Sequence, residues 1–258
     1  MHVNELFNLR GKTAIITGGG RGLGEQIAES LAEAGANIVL CSRKKEACEQ
    51  TALRLEKETG CHAMALECDI TSQEDVKRTV QLAYERFGAI DILVNNSGAT
   101  WGAPAEEMPL DAWQKVMNVN VTGTFLMSQE AGRYMIRQRS GKIINISSVA
   151  GLGGADPKFM DTIGYNTSKG AVITFTKDLA AKWGQHNINV NAIAPGFFPT
   201  KMSQVIIEKG KDGLLQRTPL GRFGSDQDLK GAAVFLASQA SDYVTGDVLV
   251  VDGGTHVL

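Results

Sequence analysis

Cysteine, histidine and proline are scarce in this chain, with four, four and six among 258 residues, and neither sign of charge dominates. Cys41, Cys48, Cys61 and Cys68 include no Cys-x-x-Cys pair and sit in a chain large enough to need no staples, so they read as reduced thiols of a cytoplasmic protein. His2, His62, His186 and His256 lack the one-turn spacing of a helical metal site, and no metal is expected. Few prolines, with 43% hydrophobic and 21% charged residues, exclude disorder, and 29 aperiodic glycines exclude collagen. Lys and Arg total 26 against 28 Asp and Glu, which leaves no broad basic field for nucleic acid. The stretch from Met1 to Arg10 has no basic start, and nowhere do ~18 apolar residues follow one another, so neither an export signal nor a membrane segment is expected.

What is present is an alternation of short β-branched runs with helical stretches. Thr13 to Thr17, Asn37 to Cys41, Ile92 to Asn95, Lys142 to Ser147, Val190 to Ala194 and Val248 to Asp252 read as strands buried on both faces, and a third strand ends near Cys68. Between them, spacings such as Leu23, Ile27, Leu31 and Val76, Val80, Ala83 mark helices. The expected fold is a single α/β domain over residues 1–258, a Rossmann-type doubly wound parallel sheet of about seven strands with helices on both faces. Ligands of such sheets bind outside the carboxyl ends of the strands.

The first of these ends carries Thr17-Gly18-Gly19-Gly20-Arg21-Gly22-Leu23-Gly24, followed by an amphipathic helix expected to begin near Glu25. Glycines at 18, 22 and 24 permit a tight turn and close approach of backbone N–H groups to a pyrophosphate, and the helix N-terminus adds partial positive charge. A carboxylate after the second strand would favour NAD(H), but Ser42, Arg43 and Lys44 stand there. Arg43 with Arg21 offers a guanidinium pair for a 2'-phosphate, so NADP(H) is favoured, with NAD(H) possible. Asp69, in Cys68-Asp69-Ile70-Thr71, suits an adenine amino group or the cap of a helix starting near Ser72. Asn96 and Gly98, in Asn95-Asn96-Ser97-Gly98, suit close approach to a ribose, or form an ordinary turn.

Tyr165 and Lys169 stand four apart, so on a helix their polar tips share one face. An ammonium and a positively charged nicotinamide nearby would favour phenolate and bring the tyrosine hydroxyl toward neutral pH as a proton donor and acceptor. Ser148 follows the fifth strand at the same sheet edge, where a hydroxyl can hold a carbonyl. Asn120 falls mid-helix by pattern, where Asn is a poor helix former.

These residues together resemble the short-chain dehydrogenase/reductase family over nearly the whole chain, from Gly11 to Gly254. The resemblance implies that Thr17 to Gly24 form the cofactor motif, and that Asn120, Ser148, Tyr165 and Lys169 form the catalytic set. It also implies that Pro195, Gly196 and Thr200 contact the nicotinamide carboxamide. In that reading Tyr165 is the acid/base, Lys169 lowers its pKa and grips the nicotinamide ribose, Ser148 orients the carbonyl and Asn120 keeps a proton-relay water. The implied reaction is hydride transfer between the nicotinamide and a carbonyl or secondary alcohol.

Two departures from the family pattern stand out. Ser97 replaces the usual Ala, and the sixteen residues Val149 to Gly164 between Ser148 and Tyr165 form a longer segment than is common. A substrate lid is expected around 200–220, where Met202, Val205, Ile206, Leu214 and Leu215 would cover a substrate or pack on the core. The stretch from His186 to Met202, with Arg217-Thr218-Pro219 and Gly231 to Asp242, resembles gluconate 5-dehydrogenases. The general layout equally resembles 3-oxoacyl-[acyl-carrier-protein] reductases, whose carrier-binding cations fall on Arg139 and His186, and a general ketone reductase fits as well. A non-catalytic NADP(H)-sensing regulator would leave the proton donor unexplained. The resemblance further implies a homotetramer or dimer built on helices around Val116 to Met135 and Tyr165 to Trp183 and on the C-terminal strand.

Overall fold

Successive residues of a β-branched run point to opposite sides, and in Thr13–Thr17 every one of them is buried, as a strand covered on both faces requires. The computed structural model describes residues 2–158, 160–201 and 203–258, with the backbone alone for Val205 and Lys209. Among the described residues the strands are β1 (Thr13–Thr17), β2 (Asn37–Ser42), β3 (Ala63–Glu67), β4 (Ile92–Asn95), β5 (Gly141–Ile146), β6 (Ile188–Pro195) and β7 (Val248–Val251). They form one parallel sheet in the order β3-β2-β1-β4-β5-β6-β7. The ends differ from the expected runs by no more than one or two residues.

Helices α1 (Gly22–Glu33), α2 (Lys45–Thr59) and α8 (Lys230–Ala237) cover one face, where Ile27, Leu31, Leu55, Leu229 and Leu236 pack on Ile16, Leu40 and Val94. Helices α3 (Gln73–Phe87), α5 (Gly123–Gln138) and α6 (Ile163–Trp183) cover the other, where Val80, Met127, Met135 and Leu179 meet Ile15, Val39, Leu93 and Ile143. Two further helices, α4 (Leu110–Met117) and α7 (Gln204–Gln216), lie toward the carboxyl ends of the strands. No described helix is long and apolar enough to cross a membrane.

Strand order reverses between β1 and β4, whose neighbours on the outer side are β2 and β5. Loops leaving β1 and β4 therefore turn to opposite faces and leave a crevice between them. Thr17 holds its floor: its buried hydroxyl accepts from the backbone N–H groups of Asn96 and Ser97, both at 3.0 Å.

Candidate active site

The glycine turn is built by steric exclusion. Gly18 and Gly22 adopt left-handed φ values of 66° and 58°, which side chains rarely tolerate. A Cβ at Gly24 would lie 2.4 Å from the Gly18 carbonyl oxygen and 2.4 Å from Asn96 Nδ2. Helix α1 begins at Gly22, three residues before the expected Glu25, because Gly22 and Gly24 belong to its first turn rather than to the loop. No side chain caps that end, so its leading N–H groups keep their donor capacity toward an anion, and Leu23 packs beside the core. Asn96 binds the turn from the β4 side, donating to the carbonyls of Thr17 at 2.9 Å and Gly18 at 3.2 Å. Thr17 and Asn96 thus frame the cradle with side chains already committed to backbone. Ser97, the departure from the family pattern, sets its Oγ 3.1 Å from where a Cβ on Gly18 would stand.

Gly18 N–H donates to the Cys41 carbonyl at 2.7 Å, which draws the turn against the segment carrying Ser42 and Arg43. Ser42 Oγ donates to the Lys44 carbonyl at 2.7 Å. Arg21 and Arg43 are both exposed, and Arg43 lines a cleft of about 340 Å³ with Asp69, Thr71, Asn118 and Val119. Asp69 does not cap α3; Ser72 does, accepting from Asp75 N–H. Asp69 instead accepts from the N–H and hydroxyl of Thr71, and those bonds, with Arg43 nearby, hold its carboxyl below the usual range. Ile70 is buried against Gly123, its side chain serving the wall rather than the cleft.

Tyr165, Ser168 and Lys169 come from the first two turns of α6. Lys169 is 5% exposed, and its Nζ donates to the carbonyl of Ile146, the last residue of β5, at 2.7 Å. It lies 3.8 Å from the Cβ position of Gly98 and 5.6 Å from the centroid of the Tyr165 ring. Burial without a carboxylate partner pulls its pKa down to about 8. Ser148 is buried two residues past β5, where its Oγ accepts from Ala150 N–H at 3.1 Å and its hydroxyl lies close enough to Tyr165 to pull the phenol's pKa down. In the chain alone, burial holds the Tyr165 phenol above its ordinary pKa and outweighs the influence of Ser148, which pulls it down. The ammonium faces the ring and a backbone carbonyl, so the chain holds Tyr165 as a neutral phenol.

Asn120 is not in an ordinary helix. Residues Asn118–Thr122 form a π turn between α4 and α5, closed by Gly123 N–H donating to the Asn118 carbonyl. Such widened turns free backbone groups and cluster at functional sites. The Asn120 amide is fully committed: Oδ1 accepts from Ala99 N–H at 2.7 Å, and Nδ2 donates to Ala99 O at 2.9 Å and to Ser168 Oγ at 2.8 Å. Ser168 and Ile146 escaped the sequence reading. The first had a signal in its helical spacing beside Tyr165, and the second acts through backbone and had none.

The remaining walls come from later segments. Pro195 ends β6, and Gly196 N–H donates to Val251 O at 3.0 Å where a Cβ would strike Asp252 at 2.7 Å. Thr200 lies 3.6 Å from the Cβ position of Gly22, so the Pro-Gly segment reaches the glycine turn. In the expected lid, Leu214 is buried while Ile206 and Leu215 are half-buried; Met202 and the Val205 side chain lie outside the described residues. The long segment after Ser148 is tied at two points, by Ala103 N–H donating to Asp161 O at 2.9 Å and by an Arg217–Asp156 ion pair at 3.6 Å. Arg139, the left-handed residue that ends α5, donates to Gln185 O at 3.3 Å and its carbonyl accepts from Asn187 Nδ2 at 3.3 Å, the residues on either side of His186. No group of His, Cys, Asp or Glu among the described residues is arranged to hold a metal ion.

Comparison with known proteins adds four findings. A family model described as enoyl-(acyl carrier protein) reductase matches residues 18–256. The gluconate 5-dehydrogenase of Gluconobacter oxydans is 40% identical over 255 residues, covering 98% of both chains. The 3-oxoacyl-[acyl-carrier-protein] reductase of Aquifex aeolicus is 39% identical over 248 residues, covering 96% of this chain and 98% of its own. Among solved structures, a gluconate 5-dehydrogenase from Burkholderia cenocepacia in complex with NADP and tartrate superposes with a TM-score of 0.94 at 40% identity, covering 100% of each chain.

Proposed function

We propose, from the premise that the chain belongs to the short-chain dehydrogenase/reductase family, that it interconverts a carbonyl and a secondary alcohol on a small sugar acid of the gluconate/5-ketogluconate kind, using NADP(H). The observation that carries this reading is the meeting of Lys169, Tyr165 and Ser148 at the crevice whose other wall is the uncapped glycine turn. The donor set fits the cofactor: the Gly18 to Gly24 cradle suits a pyrophosphate, and Arg21 and Arg43 with no acid after β2 suit a 2'-phosphate. Leu23, Asp69, Ile70, Asn96 and Gly98 shape the nucleoside side, and Pro195, Gly196 and Thr200 close the nicotinamide side. The sugar-acid class comes from the gluconate 5-dehydrogenases among its relatives and solved neighbours.

When bound, NADPH supplies the hydride for the carbonyl carbon. Ser148 holds the carbonyl oxygen, and Tyr165, already neutral, gives that oxygen its phenolic proton as negative charge grows there. Lys169, whose burial lowers its pKa to about 8 in the chain alone, stabilises the phenolate left behind. The Asn120 amide fixes Ala99 and Ser168, so a relay water there is met by the backbone of the π turn rather than by the amide. In oxidation the same groups run in reverse. The working unit is a homo-oligomer in the cytoplasm, assembled through α5 and α6, which leave Phe125 and Ile163 exposed at 44% and 42%.

A second reading, reduction of a 3-oxoacyl thioester on an acidic carrier, is favoured by the proximity of Arg139 to the segment bearing His186. A turnover screen of NADPH and NADH against 5-ketogluconate, 3-oxoacyl thioesters and simple ketones decides between them. Highest kcat/KM with 5-ketogluconate and NADPH is the expected result, and dominant thioester reduction overturns the sugar-acid reading.

A further inference from the structure

The loop that follows β4 is pinned at both ends to the catalytic machinery. At one end, Ala99 is held on both its N–H and its carbonyl by Asn120. At the other, Ala103 bridges Thr162 in parallel and donates to Asp161 O at 2.9 Å, four residues before Tyr165. Trp101 stands two residues from each anchor, and two residues of chain reach at most about 7 Å. The indole is therefore carried at the crest of a short arch that springs from beside Lys169 and lands at the start of α6.

Its exposure is the second observation. Trp101 is 46% exposed, whereas Trp113 and Trp183 are half-buried, with Trp113 3.4 Å from the Cβ position of Gly164 and Trp183 packed over Gly132. The neighbour Gly102 carries no side chain, and a Cβ there would stand 3.5 Å from Asp161 O, so the arch lies close to the α6 start. Leu152, four residues after Ser148, is 42% exposed as well. Large apolar groups left open beside convergent polar ones mark a ligand site.

We infer that Trp101 is a specificity-determining residue whose indole face covers the C–H edges of the substrate's carbon chain next to the reacting carbonyl. The inference rests on the reading of Tyr165 as proton donor, since that fixes where the carbonyl sits. A polyhydroxy acid presents alternating C–H and O–H groups, and an aromatic face suits the former while leaving the hydroxyls to water.

The test uses Trp101→Ala and Trp101→Phe in the full chain, after the screen has identified the carbonyl compound that the wild type turns over. Trp101→Ala raises KM for that compound roughly three- to tenfold, Trp101→Phe recovers most of the loss, and KM for NADPH stays unchanged in both. Tryptophan emission of the NADP-saturated wild type shifts when 5-ketogluconate or the identified compound is titrated, and Trp101→Phe abolishes the shift. An unchanged KM in Trp101→Ala, a matching rise in KM for NADPH, or a shift that survives in Trp101→Phe overturns the assignment. Should Trp101→Ala not fold, the emission titration of Trp101→Phe decides alone. If the identified compound is not a sugar acid, the proposed substrate fails, while Trp101 is still judged by the same three readouts.

Discussion

Lys169 Nζ donates to the carbonyl of Ile146 at 2.7 Å, fastening the second turn of α6 to the last residue of β5. A cation placed this way is costly, because it is 5% exposed and has a carbonyl rather than a carboxylate for company. The cost is set against function, and four measurements follow from the site it organises.

Removing the buried ammonium separates stability from activity. With Lys169 lowered to about 8 from an ordinary 10.5, the unfolded chain holds a proton between those values that the folded chain has lost. Stability therefore rises as pH climbs from about 8 toward 10.5, and below 8 the full penalty, roughly 3 kcal/mol, is present. Lys169→Met is expected to raise Tm at pH 7 relative to wild type and to abolish turnover, with the Tm advantage shrinking above pH 8. Thermal melts at pH 7, 8.5 and 10 check this.

Tyr165→Phe deletes the proton donor and leaves the ring. A general acid contributes about 10²- to 10⁴-fold, so kcat is expected to fall by that range while NADPH affinity, read by fluorescence titration, stays within about twofold. Normal turnover in this variant would remove Tyr165 from the mechanism.

Arg43 lines the cleft beside Asp69 and is exposed, so solvent weakens any single contact it makes. Arg43→Ala is expected to raise KM for NADPH about tenfold with little change for NADH, and Arg21→Ala to act in the same direction. Steady-state kinetics with both cofactors report the ratio. Equal losses for the two would mean that neither guanidinium reads the 2'-phosphate.

At Gly24 a methyl group would meet the Gly18 carbonyl and the Asn96 amide, each at 2.4 Å. Backbone must move to admit it. Gly24→Ala is expected to destabilise the chain by about 1–3 kcal/mol and to weaken NADPH binding further than it weakens the fold. Urea titration with and without NADPH separates the two effects.

The sequence made some of this legible for identifiable reasons. Thr13–Thr17 and Ile92–Asn95 could be placed to the residue because a strand buried on both faces leaves an unbroken apolar run between turn formers. Helical periodicity puts Tyr165 and Lys169 on one face, and the family resemblance, not the spacing, pointed to their role. The start of α1 was set too late, since Gly22 and Gly24 read as loop formers when they are the first turn itself. The burial that raises the Tyr165 pKa in the chain alone was not legible, because spacing locates an ammonium but not the surroundings of a phenol. Asp69 lost its capping role to Ser72, a neighbour with an equally suitable side chain. Backbone acceptors such as Ile146 O have no letter in the sequence, so the partner of Lys169 was invisible.

The π turn at Asn118–Thr122 spends one residue more than an α-helix would over the same stretch. The wider turn absorbs that residue, so deleting any one of these five would close it to α geometry, leaving α4 and α5 on their faces but drawing the residues inside the turn out of place. Asn120 would leave Ala99, and the tie that fastens the loop after β4 to the site would be lost. This part of the chain is thus intolerant of length change even where it tolerates a change of letter.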